Sequence, residues 1–153
     1  MVILKKRERL MNKAFEILAR RGQAEKELKT KLLKKFPNCS LIEKIIKRLK
    51  ELGYLNDEKF TREWIESRIR TKPRGRILIR RELLAKGVKA ELVEKILELV
   101  YNREREKKEL RELFSFKRKR YSPDRQGKNK LVSYLLRRGF LWEDIKDNLE
   151  SEE

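Results

Sequence analysis

Basic side chains dominate the chemistry open to this sequence. Forty-three Lys and Arg stand against 25 Asp and Glu, a formal net charge of +18 at neutral pH. They are grouped. Residues 5–35 hold 12 basic and 4 acidic residues. Between Glu66 and Lys86 come Arg68, Arg70, Lys72, Arg74, Arg76, Arg80 and Arg81, opposed by Glu66 and Glu82. Across residues 117–138, Lys117, Arg118, Lys119, Arg120, Arg125, Lys128, Lys130, Arg137 and Arg138 meet only Asp124. A heat-adapted surface explains many charges but not an imbalance, because ion-pair networks need both signs. The excess points to a polyanion or an acidic protein surface. Arg predominates in the second group, where its planar fork suits phosphate or carboxylate. The second and third groups are the candidate contact set.

Other chemistry is poorly supplied. Histidine is absent and Cys39 is the single cysteine. That removes His-based nucleophilic and metal sites, cysteine zinc clusters and internal disulfides. Gly127-Lys128-Asn129 lacks the upstream Gly and the Ser/Thr of a phosphate loop. Pairs such as Glu25/Glu27 and Asp57/Glu58 fit caps and surface ion pairs. Pro123-Asp124 is a faint nuclease hint with no acidic cluster behind it. The expectation is a non-enzyme without cofactor or metal. Met1-Val2-Ile3-Leu4 is too short for a signal core, and no apolar run approaches a membrane span. With one cysteine, a cytoplasmic, monomeric protein without membrane contact is expected.

The elements that carry these charges are helices in a repeat. A cassette of paired leucines, basic residues and a turn occurs at Leu32-Leu33-Lys34-Lys35-Phe36, Leu83-Leu84-Ala85-Lys86-Gly87 and Leu135-Leu136-Arg137-Arg138-Gly139, spaced by 51 and 52 residues. Ile42, Val93 and Ile145 follow at a common offset, as do Ile46, Leu97 and Leu149. A fixed period with matching apolar positions marks a repeat protein. Hydrophobic residues are 39% and charged residues 44%, against roughly 45–50% and about 25% in ordinary domains. Little apolar material favours an elongated stack over a sphere.

Helical spacing predicts a first helix through Leu10, Ala14 and Leu18, ended by Arg20-Arg21-Gly22 with Gly22 left-handed. A second runs from about Ala24 to Lys35, with Leu28, Leu32 and Leu33 inward. Ser40-Leu41-Ile42-Glu43 reads as a capping box for the third. Asn56-Asp57 caps the fourth, which ends before Lys72-Pro73-Arg74-Gly75. The fifth ends at Lys86-Gly87 and the sixth spans about Ala90 to Tyr101. Residues 103–116 either continue the sixth or begin anew after Asn102. Lys117 to Asp124 reads as a mobile loop. Helices from about Gln126 to Arg138 and Trp142 to Leu149 close the chain, and the acidic tail is expected to fray. Phe60, Trp64, Phe114, Tyr134, Phe140 and Trp142 read as packing residues. No strand pattern occurs. The fold class is all-α: nine helices as three tandem three-helix repeats, 1–53, 54–101 and 102–153, in an elongated, curved array.

Tyr54-Leu55-Asn56-Asp57, Phe60, Trp64, Gly75-Arg76-Ile77, Glu82-Leu83 and Lys86-Gly87-Val88 resemble the core signature of the RecX recombination regulators. Leu135 to Phe140 with Ile145 is similar to that family's third-repeat ending, and Ala14, Leu18, Arg21 and Glu27-Leu28 to its first repeat. The resemblance covers about residues 11–149. Gln23 and Ala24 depart from a frequent Ser cap, and Asn56 from the usual Asp. The resemblance implies a non-enzymatic chain of tandem three-helix repeats that binds RecA in the groove of its DNA filament. It implies suppression of ATPase, strand exchange and co-protease action in the SOS response and DNA repair, and binding to single- and double-stranded DNA. It assigns no contact residues; those rest on charge placement. The competing reading is a DNA binder acting without RecA, with 126–138 and 142–149 as a helix-turn-helix.

Overall fold

A computed structural model of the chain describes residues 2–152. Among the described residues it holds nine helices and no strand: α1 (Val2–Arg20), α2 (Glu25–Lys35), α3 (Ile42–Glu51), α4 (Asp57–Thr71), α5 (Arg76–Ala85), α6 (Ala90–Val100), α7 (Arg103–Arg118), α8 (Arg125–Arg137) and α9 (Trp142–Glu150). Asn102 settles the break after α6. Its side chain accepts from the Arg105 amide at 2.9 Å and so caps a new helix.

Helices pack in threes. α1, α2 and α3 lie against one another, as do α4, α5 and α6, and α7, α8 and α9, whereas packing between triplets is sparse. Each triplet has its own apolar cluster. Leu10, Ala14, Leu28, Leu32, Ile42, Ile45 and Leu49 fill the first; Ile65, Ile79, Leu83, Val93, Ile96 and Leu97 the second; Leu110, Phe114, Leu131, Leu135, Phe140 and Ile145 the third. The first leucines of the cassettes, Leu32, Leu83 and Leu135, are all fully buried. The accessible surface is 10250 Å², against about 8,200 Å² for a compact monomer of this mass. The array is therefore extended, with small cores in series.

The middle helices α2, α5 and α8 run head to tail. Gly87, just past α5, has φ 86°, and a Cβ there would lie 2.5 Å from the Lys26 side chain in the first turn of α2. Gly139, just past α8, has φ 85° and abuts Leu78 in the first turn of α5. The Gly75 amide donates to the Arg138 carbonyl at 2.7 Å. The negative end of one helix thus meets the positive end of the one before it.

Neither α2 nor α5 has a side-chain cap of its own; Ala24 and Gly75 occupy the N-cap positions. The next triplet supplies the missing acceptor. The Glu25 amide donates to Asp57 Oδ1 at 2.8 Å, and the Arg76 amide to Glu106 Oε2 at 2.7 Å. Asp57 and Glu106 sit in the first turns of α4 and α7. α8 is capped within its own triplet by Asp124, which accepts from the Gly127 amide at 2.8 Å. Ala24 is buried in the second triplet's cluster, so a methyl group stands where a hydroxyl cap would otherwise be wanted.

Several expectations are corrected. Leu33, Leu84 and Leu136 are 39%, 44% and 46% exposed. Adjacent helical residues point about 100° apart, and the row that reaches the core runs through the first leucine of each pair. Ser40 makes no cap, because Leu41 is the N-cap residue of α3 and already has helical φ and ψ. Gly22 has no positive φ; Gly53, Gly87 and Gly139 do. α7 extends through Arg118, so the stretch expected as a loop is shorter. Trp142 is 48% exposed and lies outside the third cluster.

Two measurements check the joints. A Cβ at Gly75 would fall 2.1 Å from the Gly139 carbonyl oxygen, so Gly75→Ala should cost about 1–3 kcal/mol as overpacking. Gly22→Ala, with nothing within 4 Å, should not lower the melting temperature. Burial raises the Asp57 carboxyl above its ordinary value, outweighing the Glu25 amide. Folding then favours the protonated form. That contribution is present below the ordinary value of 3.8 and is lost as pH rises through the raised one. Asp57→Asn keeps an acceptor without the buried charge, so at neutral pH it should melt no lower than the parent. Asp57→Ala should lose about 1 kcal/mol.

Candidate polyanion interface

The second basic group lies at the end of α4, the turn after it, and α5. Four of its arginines hold helices together. Arg74 reaches Glu82 at 2.7 Å and donates through Nε to the Lys72 carbonyl at 3.2 Å. Arg68 lies 3.3 Å from the same carboxylate, with its guanidinium 4.3 Å from the Trp64 ring centre. Arg76 reaches Glu98 at 3.3 Å, and Arg80 forks onto Glu94 with its second contact at 3.1 Å. The Arg80 hydrogen bond holds the Glu94 carboxyl below its usual range, against the opposing effect of burial. Arg74 and Arg76 are 12% and 13% exposed. Arg70, Lys72 and Arg81 are exposed and make no ion pair among the described residues.

The third group is differently disposed. Arg118 is tied to Glu152 at 2.7 Å and to the Ser122 carbonyl at 3.2 Å. That contact engages the acidic tail, which was expected to fray. Lys117, Lys119, Arg120, Arg125, Lys128, Lys130, Arg137 and Arg138 have no carboxylate partner among the described residues. Lys117 and Arg138 lie 4.8 Å and 5.4 Å from the Tyr134 ring centre, and Arg120 lies 4.7 Å from that of exposed Phe116. Asp124 is a helix cap, which accounts for the Pro123-Asp124 hint. No group of three acidic, His or Cys residues suited to a metal occurs among the described residues.

The two groups meet at the joint of the second and third triplets. A cleft of about 400 Å³ there brings Lys72 and Pro73 to Phe116 and Lys117 of α7, to Tyr134 of α8 and to Arg138 just past its end. Glu109 and Glu112 stand on its wall. Burial, then the charge of Glu112, raises the Glu109 carboxyl above its usual value. Lys130 and Arg137 line a second hollow with Tyr121. Arg70 and Arg81 are brought to neither. Behind the cleft, Arg105 bridges α7 to Glu66 of α4 at 3.1 and 3.2 Å, and buried Tyr101 donates to the Arg74 carbonyl at 2.8 Å. Burial, then Glu106, pushes the Tyr101 phenol up, so it remains a donor.

Sequence reasoning missed the residues that join the triplets: Asp57, Glu106 and Glu27. The signal for the first two was negative, since Ala24 and Gly75 are poor caps for helices that nonetheless start there.

A family model described as RecX, second three-helix domain, matches residues 56–97. Regulatory protein RecX of Pelodictyon phaeoclathratiforme is 38% identical over 146 residues, covering 91% of this chain and 86% of that protein. The chain belongs to the RecX family. Regulatory protein RecX of Chlorobaculum tepidum is 33% identical over 149 residues, covering 95% and 89%. The crystal structure of RecX from Lactobacillus salivarius superposes with a TM-score of 0.78 at 23% identity, covering 97% of each chain. That similarity bears on the fold: all-α, in tandem three-helix repeats. RecX relatives are named regulatory proteins. No helix among the described residues is long and apolar enough to cross a membrane.

The division of the cations is testable by stability. Arg74→Ala removes the nearer of two cations on a carboxylate that is 19% exposed, and should cost about 1–3 kcal/mol. Arg70→Ala and Arg81→Ala should stay within about 0.5 kcal/mol of the parent, read by urea denaturation.

Proposed function

We propose that this chain binds the RecA–DNA filament and restrains it by occupancy, suppressing ATP hydrolysis, strand exchange and co-protease action without chemistry of its own. The observation that carries the reading is kinship over nearly the whole chain to proteins named Regulatory protein RecX. The physics agrees with it. An extended rod bearing +18 suits a groove lined by acidic protein around a nucleic acid. Three triplets in series, taken as 1–53, 54–101 and 102–153, can bridge adjacent filament subunits. A rod laid across them holds one arrangement that the hydrolytic cycle must disturb. The reading places the protein in the cytoplasm, as a monomer, with single- and double-stranded DNA as auxiliary partners.

The contact surface is assigned to cations without carboxylate partners: Arg70, Lys72, Arg81, Lys117, Lys119, Arg120, Arg125, Lys128, Lys130, Arg137 and Arg138. Arg68, Arg74, Arg76, Arg80 and Arg118 act behind them by holding the helices.

The test is a RecA ATPase titration on single-stranded DNA. The parent should inhibit at substoichiometric to stoichiometric ratios. Lys119→Glu, Arg120→Glu, Arg125→Glu and Lys130→Glu together should raise the protein needed by at least about tenfold, as expected when rim charges reverse sign. The melting temperature should be little changed, since all four are exposed and none has a carboxylate partner among the described residues. A parent that leaves the ATPase untouched at saturation sinks the reading. A quadruple variant that inhibits like the parent moves the surface elsewhere.

A further inference from the structure

The joint between the first two triplets carries a basic trough outside the contact set. A concavity of about 380 Å³ opens where the C-terminal end of α5 meets the length of α2 from Lys26 to Lys34. Lys26, Lys31 and Lys34 line it from α2, Leu84 from α5 and Lys86 from just past its end. One acidic side chain lies among them, Glu27, which is 10% exposed and already engaged. It accepts from Arg21 at 2.8 Å and from Lys86 at 2.9 Å. Burial alone would raise the Glu27 carboxyl, but those two cations and the Ala24 amide outweigh it and hold it low. Glu27 thus favours its charged form and is shared between triplets as a latch. Lys26, Lys31 and Lys34 have no carboxylate partner among the described residues.

The trough is built. Lys31 Nζ donates to Gln23 Oε1 at 2.9 Å, and Gln23 is 4% exposed. The methylene stem of Lys26 lies across Gly87, which leaves room for it by having no side chain. Burial, then the charge of Arg21, lowers the Lys31 ammonium below its ordinary value. Withdrawal from water disfavours the charged form first, and the neighbouring Arg21 cation adds to it against the opposing charge of Glu27.

Lysines are compact point charges without the planar fork that pairs carboxylates, and they are depleted where proteins meet proteins. No aromatic ring lines the trough to stack a base. Such a surface reads charge spacing and not sequence, as backbone contacts to nucleic acid do. We infer that the trough formed by Lys26, Lys31, Lys34 and Lys86 at the joint of the first two triplets binds the phosphodiester backbone of nucleic acid. A strand seated there touches α2 and α5 at once, over the Lys86–Glu27 latch, and holds the joint closed. The inference extends the DNA contact of the proposed function, but its test needs no RecA and stands separately.

The test is fluorescence anisotropy of the full chain with a labelled single-stranded oligonucleotide and its duplex across a salt series. Lys26→Gln, Lys31→Gln and Lys34→Gln together should weaken binding by at least about tenfold at moderate salt. They should also make the slope of log affinity against log salt shallower by about 2, since each lost phosphate contact removes about 0.7–0.9. The same three positions changed to Arg should keep both. Lys5→Gln, Lys6→Gln and Arg7→Gln remove equal charge from the exposed start of α1, and should leave both within about twofold if the trough and not bulk charge binds. The inference is overturned if the parent binds neither probe at low salt. It is also overturned if the trough variant binds like the parent, or if the α1 variant loses as much. RecA inhibition measured in parallel separates this outcome from failure of the filament reading.

Discussion

The end-to-end seating of α2, α5 and α8 is the constraint on which the rest depends. Packing between triplets is sparse, so few contacts set how one triplet stands on the next. Those few are well defined. A left-handed glycine lets the end of one middle helix approach the start of the preceding one, and a carboxylate from the following triplet caps that start. Free helix amides are costly to leave unpaired. The first and second triplets therefore each leave an acceptor to be supplied by the triplet that follows, and regular stacking supplies it. Three small cores, none large alone, become one extended body.

The positive charge sorts itself against that scaffold. Arg68, Arg74, Arg76 and Arg80 of the second triplet lie where helices cross and find carboxylates there: Glu82, Glu94 and Glu98. Their planar geometry serves the fold. Of the third basic group, Arg118 alone pairs with a carboxylate among the described residues, while Lys117, Arg120 and Arg138 find aromatic faces and the rest solvent. Charge density along the sequence is similar in the two regions, yet their availability to a partner is not. Only the spatial partners, eight to twenty-two residues away in the chain, distinguish them.

Much of the fold was legible because helices and their period are local properties. Leu32, Leu83 and Leu135 with Ile42, Val93 and Ile145 gave the triplet register, and all six are buried. The second leucine of each pair misled, since two adjacent apolar residues cannot both face a core on a single helix row. Ser40 misled because a four-residue pattern says nothing of the backbone before it. Asn38 takes φ 56° in the preceding turn, and Leu41, already helical in φ and ψ, holds the N-cap position, so Ser40 stands one residue outside it. Asn56 and Asn102 were readable as cap and break because each acts on its own helix. The candidate site was legible as composition and not as geometry. Nothing in the order of residues shows that Arg76 turns to Glu98, or that Gln23, a departure from a usual cap, steadies Lys31.

The Gly75–Arg138 backbone contact has a mechanical corollary. A rod hinged at two narrow seats behaves as a lever, and a small tilt at either seat is amplified with distance along the arm. The spacing between charges at opposite tips is then governed by groups that touch no partner. Selection on how the rod fits its target falls partly on a glycine and two carboxylates far from any contact, and a drift in their geometry detunes the whole span at once.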